Sequence, residues 1–238
     1  MTPRIVARLG ARGPVPENTF AAAHAAARDG ADLVAVDVRE SRDGVFHLLH
    51  DATVDRTTDG TGALDQLDSG EIDRLDAGAR FGAAYVGEPV PRLDRFLAAL
   101  RGRVDFLLTL RHGDPGALGR LLREVGLDRR SLVHLVDPAD AAALAAAAPD
   151  LLRVVDLSGD TGAAAARAQG ARVVRLPADA AAGARVDEAR RAGLDVLATP
   201  ASDDPAALRA ALASGARLVE TDRPDAAEIV RRRLAFSV

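Results

Sequence analysis

Eight short runs rich in valine, leucine and isoleucine recur along this chain, and each is followed by a stretch of helical length. The runs fall at 4–8, 32–38, 104–110, 131–136, 151–157, 172–177, 194–199 and 217–221. Alanine- and leucine-rich helix candidates lie near 18–29, 92–101, 115–125, 138–147, 160–169, 184–192, 204–214 and 224–233. Strict alternation of this kind implies a parallel sheet with crossover helices. Eight such units in 238 residues fit a closed (β/α)8 TIM barrel of the α/β class better than a doubly wound open sheet, which usually has fewer strands. Residues 40–91 break the rhythm. The stretch VFHLLH at 45–50 reads as a short extra strand, and a turn-rich polar segment follows it. The expectation is one domain over 1–238 with 40–91 inserted between the second and third main strands, and on barrels such loops commonly carry function.

Composition removes several function classes. The chain has no cysteine, which excludes disulfides, thiolate metal sites and cysteine nucleophiles. A net charge of −4 argues against broad nucleic-acid binding. No apolar run approaches the roughly 18 residues needed to span a bilayer. The amino terminus enters a strand-like run almost at once, so no signal peptide is expected and the default location is cytoplasmic. Every basic residue other than histidine is arginine, so an arginine where lysine is usual elsewhere carries little weight.

The segments RGPVPENT, GADLVAVDVRESRDGVFHLLHDATVDRTTDGTG, VPRLDRFL and SGARLVETDRPD resemble the glycerophosphodiester phosphodiesterase family, most densely over residues 1–111. The resemblance implies a (β/α)8 barrel with a small insertion and a divalent cation, calcium or magnesium, that polarises a phosphodiester. It further implies two histidines that act as acid and base in splitting glycerol 3-phosphate from its alcohol. A hard dication wants oxygen ligands, which carboxylates on neighbouring strand ends supply. Carried onto this chain, the first catalytic histidine falls at Arg8 and its partner arginine at Leu9. The strand-two Glu-x-Asp falls at Ala35 and Asp37, and a further metal-binding glutamate and a phosphate-binding lysine fall at Thr109 and Arg111. The second catalytic histidine is present as His50, and an aromatic usual at the end of the seventh strand falls near Ala198. Of the five acid-base and metal positions, Asp37 and His50 keep the family's residue. The metal-ligand set is therefore incomplete, and no cofactor is assigned. The surrounding signature (Glu17, Asn18, Thr19, Asp51, Arg56, Thr57, Thr58, Gly60, Gly62) is intact.

Strand parity orients these positions. Ala35 and Asp37 share one face of the second run, while Val34, Val36 and Val38 share the other and should pack on helices. Asp37, Arg8, Arg111 and His50 are thus expected to converge at the barrel mouth. Arg8 can clamp an anion bidentately, or form a structural ion pair with Asp37 or Glu220. Arg111 is the stronger anion-binding candidate, since it replaces one basic residue with another, and His50 is the remaining acid-base candidate. His24 reads as surface, His47 as facing the scaffold, His112 as a loop residue beside Arg111 and His134 as a core histidine. Arg153 and Arg175 either add charge to the mouth or pair with Asp156. The amides of DRTTDGTG could approach a phosphate.

The function expected is that of a family member with a degenerate site, impaired in ordinary phosphodiesterase activity and retaining a phosphate-binding or regulatory role toward a phosphorylated small molecule. The alternative is hydrolysis of a phosphodiester by altered, metal-independent chemistry, in which an arginine supplies the metal's charge.

Overall fold

In the computed structural model, residues 2–8, 13, 15–157, 162–178 and 182–235 are described. Among these residues nine strands appear in chain order: β1 (Arg4–Arg8), β2 (Leu33–Glu40), β3 (Phe46–Leu48), β4 (Asp105–His112), β5 (Ser131–Leu135), β6 (Leu152–Asp156), β7 (Val173–Pro177), β8 (Asp195–Thr199) and β9 (Leu218–Thr221). The sheet runs β1-β9-β8-β7-β6-β5-β4-β2-β3, and β1 also pairs with β2. Eight parallel strands therefore close into a barrel, while β3 lies antiparallel against the end of β2, with Val38 opposite Leu48. The helices are α1 (Phe20–Arg28), α2 (Ser69–Ile72), α3 (Leu93–Leu100), α4 (Pro115–Glu124), α5 (Ala141–Ala147), α6 (Ala163–Ala168), α7 (Ala182–Arg191), α8 (Pro205–Ala213) and α9 (Pro224–Ala235). The eight expected strands and the short extra strand are all present, within one or two residues of their expected bounds.

Local chemistry explains where helices start. Asp114 and Asp204 each stand before a proline at the first helical position, and their carboxylates accept from backbone amides of α4 and α8. Proline has no N–H to waste there, and the aspartate satisfies donors that the helix cannot. On α3 the buried residues Leu93, Phe96, Leu97 and Leu100 follow helical spacing. They pack on the outward face of the barrel with Val34, Val36 and Val38, as strand parity requires.

The inward face is layered. Val6, Leu33, Ala35, Leu107, Leu132, Val154, Val173, Leu197 and Leu218 form a dry central plug. The next inward positions toward the carboxyl ends are mostly polar: Arg8, Asp37, Thr109, Asp156, Arg175, Thr199 and Glu220. The plug fills the barrel, so the polar layer above it is the floor of a mouth and not part of a pore. Residues 40–91 hold β3, α2 and a small apolar core of their own, built from Leu49, Val54, Leu64, Ile72, Ala77 and Val90.

Candidate functional site

The polar layer floors a cavity of about 1070 Å³, lined among others by Arg8, Ala35, Asp37, His50, Thr109, Arg111, Asp156, Arg175 and Glu220. Arg8, Asp37, His50 and Arg111 thus meet at one mouth, as parity requires. Register explains the convergence: Arg8 lies beside Ala35, and Asp37 beside Thr109.

Asp37 is 2% exposed. Its Oδ1 accepts from Arg111 Nε at 2.7 Å, while Oδ2 is buried with no hydrogen-bond partner among the described residues. Its backbone N–H donates to Asn18 Oδ1 at 3.0 Å. Asn18 has φ 56°, in the left-handed region, where asparagine is among the more tolerant residues. The neighbours of Asn18 have separate tasks. Thr19 Oγ1 accepts from Ala22 N–H at the start of α1 and donates to Pro16 O at 2.7 Å. Glu17 takes Arg56 Nη2 at 2.6 Å. The ENT motif is therefore one strut, one backbone clamp and one helix cap.

From Glu17 the chain of contacts runs to the mouth. Arg56 also binds Asp51 through Nε, and Asp51 Oδ1 faces His50 Nδ1 at 2.9 Å. The Arg56 hydrogen bond holds the Asp51 carboxyl down at about 2, with a smaller contribution from His50. Asp51 orients His50 through Nδ1 and leaves Nε2 as the ring nitrogen it does not engage. Arg39 adds two donations to the His50 carbonyl at 3.1 Å each.

The opposite wall carries a second charge network. Arg175 grips Asp156 through Nε at 2.6 Å and Nη2 at 3.1 Å, and its Nη1 lies 3.8 Å from Glu220 Oε2. Glu220 also accepts from Thr199 Oγ1 at 3.3 Å. His134 Nε2 sits 3.2 Å from Asp156 Oδ2, and His134 Nδ1 is buried without a hydrogen-bond partner among the described residues. Burial works against ionisation of Asp156, but the hydrogen bonds from His134 and Arg175 outweigh it and hold its carboxyl well below the usual range. One nitrogen of His134 is thus turned to Asp156 and the other is buried, so neither is presented to the cavity.

Several expectations need correction. Arg8 pairs with neither Asp37 nor Glu220; its Nε lies 3.6 Å from Asp222 Oδ1. Asp37 is taken by Arg111 and Glu220 faces Arg175, while Asp222, just past the end of β9, reaches Arg8 at the end of β1. Arg153 does not enter the mouth. It alternates with the inward Leu152 and Val154, and it donates to Gln169 O behind the barrel. Four amides of DRTTDGTG are already used: Gly60 N–H donates to Thr58 Oγ1 and Gly62 N–H to Asp55 Oδ2, both at 3.0 Å, while Thr58 N–H donates to Val54 O and Asp59 N–H to Asp76 O. Ala198 packs outward among the helices, so the inward strand-end position on β8 is Thr199. His24 is exposed and His47 fully buried, as expected, while His112, expected in a loop, is the exposed last residue of β4 and lies outside the cavity lining. Leu9 lies outside the described residues. Sequence reasoning missed Arg185 and Glu188, which reach the cavity from α7. No strand parity applies to them, and nothing in their local sequence marks them.

The residues present do not fit a calcium or magnesium ion, which takes about six to eight oxygens. Ala35 offers none and Thr109 a hydroxyl, while one oxygen of Asp37 is held by Arg111. Asp156 and Glu220 lie across the mouth, against Arg175. Among the described residues no three His, Asp or Glu gather closely enough to hold an ion.

Fold and mouth together define a (β/α)8-barrel protein with its polar groups at the carboxyl ends of the strands. Residues 9–107 match the model of the Glycerophosphoryl diester phosphodiesterase family. The crystal structure of glycerophosphodiester phosphodiesterase from Agrobacterium tumefaciens str. C58 superposes with a TM-score of 0.90 at 35% identity, covering 95% of this chain and 99% of that one. The chain belongs to the glycerophosphodiester phosphodiesterase family. A curated glycerophosphodiester phosphodiesterase from Caldanaerobacter subterraneus is 41% identical over 106 residues, 44% of this chain and 43% of that protein. The match spans about half the length, or less, of the curated relatives. An Oleispira antarctica phosphodiesterase solved with the product sn-glycerol-3-phosphate shares the fold, with a TM-score of 0.83 at 24% identity over 96% of each chain. Among the described residues no helix is long and apolar enough to cross a membrane.

Proposed function

We propose that this barrel binds a phosphorylated small molecule at Arg8 and Arg111 and is impaired in, or lacks, the family's ordinary metal-dependent phosphodiesterase reaction. The observation that carries this reading is the Arg111–Asp37 pair. At the position where the family resemblance implies a metal-binding carboxylate, a guanidinium already rests on Asp37. Arg111 uses Nε for that contact, and its two terminal nitrogens have no other hydrogen bond among the described residues. Among the described residues Arg8 likewise carries only a long ion pair, at 3.6 Å. Two arginines at one wall of a partly dry mouth suit an oxyanion, since guanidinium geometry matches phosphate oxygens. The role that follows is binding or regulation rather than turnover.

A second reading is metal-independent hydrolysis. It draws on the orientation of His50 by Asp51 at 2.9 Å, which suits a general acid or base. It is weakened by His134, whose two nitrogens are turned to Asp156 and buried, leaving His50 without a second imidazole.

Turnover of bis(p-nitrophenyl) phosphate, with and without calcium or magnesium, separates these readings. The proposal expects no metal-stimulated hydrolysis, and robust metal stimulation would overturn it. Metal-independent turnover abolished by His50→Ala would establish the second reading. A thermal-shift series with inorganic phosphate tests the anion site, because a ligand that binds only the folded state raises Tm.

A further inference from the structure

His47 sits where the inserted segment meets the barrel, and it is fully buried. β3 places it opposite Arg39 of β2, and on its other side it forms an antiparallel bridge with Arg92, just before α3. Its Nδ1 lies 3.1 Å from Val45 O. A carbonyl only accepts, so Nδ1 carries the proton of the neutral ring and Nε2 the lone pair. That Nε2 is buried with no hydrogen-bond partner among the described residues. Asp73 Oδ1 stands 3.9 Å away, beyond hydrogen-bond reach and itself an acceptor.

Asp73 closes α2, and Arg92 holds it through Nε at 2.8 Å and Nη2 at 2.6 Å. This clasp joins α2, inside the insertion, to the start of α3 on the barrel. A proton on His47 Nε2 finds no acceptor within reach unless Asp73 moves inward, off Arg92. The other charges around the ring do not relieve it. Asp43, in the turn before β3, is taken by Ser41 and Ser69, and Arg39 is turned to the His50 carbonyl. Arg95 acts on Asp73 from α3. Burial holds the His47 imidazole below its ordinary value, with help from Arg92 and against the pull of Asp73 and Asp43. Hydrogen bonds from Ser41 and Ser69 keep the Asp43 carboxyl well below the usual range, and the bond from Arg92 lowers Asp73. Neither carboxylate therefore takes up a proton near neutral pH.

We propose that His47 is an acid-sensitive latch between the insertion and the barrel: neutral, it leaves the Asp73–Arg92 clasp closed, and its protonation releases that clasp and loosens β3 and α2. The effect reaches the mouth, because the chain runs from His47 to His50 in three residues, tied down by Leu48 N–H on Pro91 O and Leu49 N–H on Asp37 O. The direction follows from linkage. The opened form has the ordinary histidine value of about 6.5, so it binds the proton before the closed form does. Opening is unaffected above about pH 7.5 and grows about tenfold per pH unit below about 6.5, until the buried ring itself titrates.

The test is hydrogen exchange of the full chain at about pH 7.5 and about pH 5.5, corrected for the intrinsic pH dependence of amide exchange. Protection over residues 46–51 and 69–76 is expected to fall about tenfold at the lower pH, while that of β5 and β7 holds. His47→Leu keeps the site apolar and leaves Val45 O its two donors from Ser41, and it should remove the fall. His50→Gln and His112→Gln change the other imidazoles beside the insertion and should leave the fall in place. Equal protection of the parent at both pH values would overturn the latch, as would a loss spread evenly over the barrel. Persistence of the local loss in folded His47→Leu, or its removal by either glutamine variant, would do the same. If His47→Leu does not fold, the His47 ring is titrated in the parent by NMR. Titration below about 6.5 supports the latch, and titration at or above that value overturns it.

Discussion

Arg111 Nε rests 2.7 Å from Asp37 Oδ1, joining the inward faces of β4 and β2 at the floor of the mouth. Asp37 is buried, whereas the Arg111 side chain keeps 31% of its exposure. The pair therefore has a dry end and a wet end. Its carboxylate depends on the guanidinium, while the guanidinium keeps donors facing the cavity.

Removing the wet partner should be costly. Arg111→Met leaves a buried carboxylate unpaired and is expected to destabilise the protein by about 2–4 kcal/mol, somewhat less than for a fully buried pair because Arg111 is partly hydrated. The double variant Arg111→Met with Asp37→Asn should recover much of that loss, because the stranded charge is gone. Urea unfolding of the three proteins checks this. Equal stability of the single and double variants would contradict a stranded charge.

Asn18 makes two contributions that can be separated. Asn18→Ala deprives the Asp37 N–H of its acceptor and puts alanine, which tolerates the left-handed region less well than asparagine, on a backbone held at φ 56°. The expected loss is about 2–4 kcal/mol. Asn18→Gly removes the acceptor but tolerates the left-handed backbone, and should recover about 1–2 kcal/mol of that loss. Chemical denaturation midpoints decide it. If the glycine variant is no more stable than the alanine variant, the backbone conformation contributes little.

The Glu17–Arg56–Asp51–His50 chain should leave a mark on acid stability. The folded Asp51 carboxyl sits at about 2, below its ordinary value, chiefly because of Arg56. As pH falls the unfolded chain therefore binds the proton first, and the stabilisation present above about pH 4 is lost as pH drops toward 2. The size is about 1 kcal/mol once solvent screening of this half-exposed pair is allowed for. Arg56→Gln should flatten the fall between pH 4 and 2. An unchanged acid limb, measured by unfolding at each pH, would show that the pair is not coupled to stability.

Calcium binding offers a constructive test of the family mapping. Ala35→Glu and Thr109→Glu place carboxylates beside Asp37 through the β2–β4 register, and Arg8→His adds an imidazole at the end of β1. Adding Arg111→Lys replaces the guanidinium that now holds Asp37 and leaves a basic side chain there. The fourfold variant is expected to bind calcium more tightly than the parent, read by calorimetry. A folded variant with no calcium binding would count against the mapping of these positions.

Much of this was legible without coordinates because it depends on local rules. The eight β-α units follow from alternation. The division of β2 into a valine face and an Ala35–Asp37 face follows from the two-residue repeat of a strand. That repeat also brought Arg8, Asp37 and Arg111 to one mouth. It did not extend to Ala198, where a placement near the strand end had to be resolved to a face, and the inward residue proved to be Thr199.

What the sequence determined by itself was the barrel and which side chains point inward, because period and chain alternation are properties of neighbours along the chain. Only the tertiary structure decided the pairings among them. Arg8 could have met Asp37, Glu220 or Asp222, and the closed sheet set Asp222 beside it, left Asp37 to Arg111 and turned Glu220 toward Arg175. Ion pairing falls with distance and burial across strands far apart in sequence, so partners are chosen by barrel closure. Arg185 and Glu188 enter the mouth for the same reason: α7 packs where the closed barrel leaves room for it, and nothing in their local sequence announces that place.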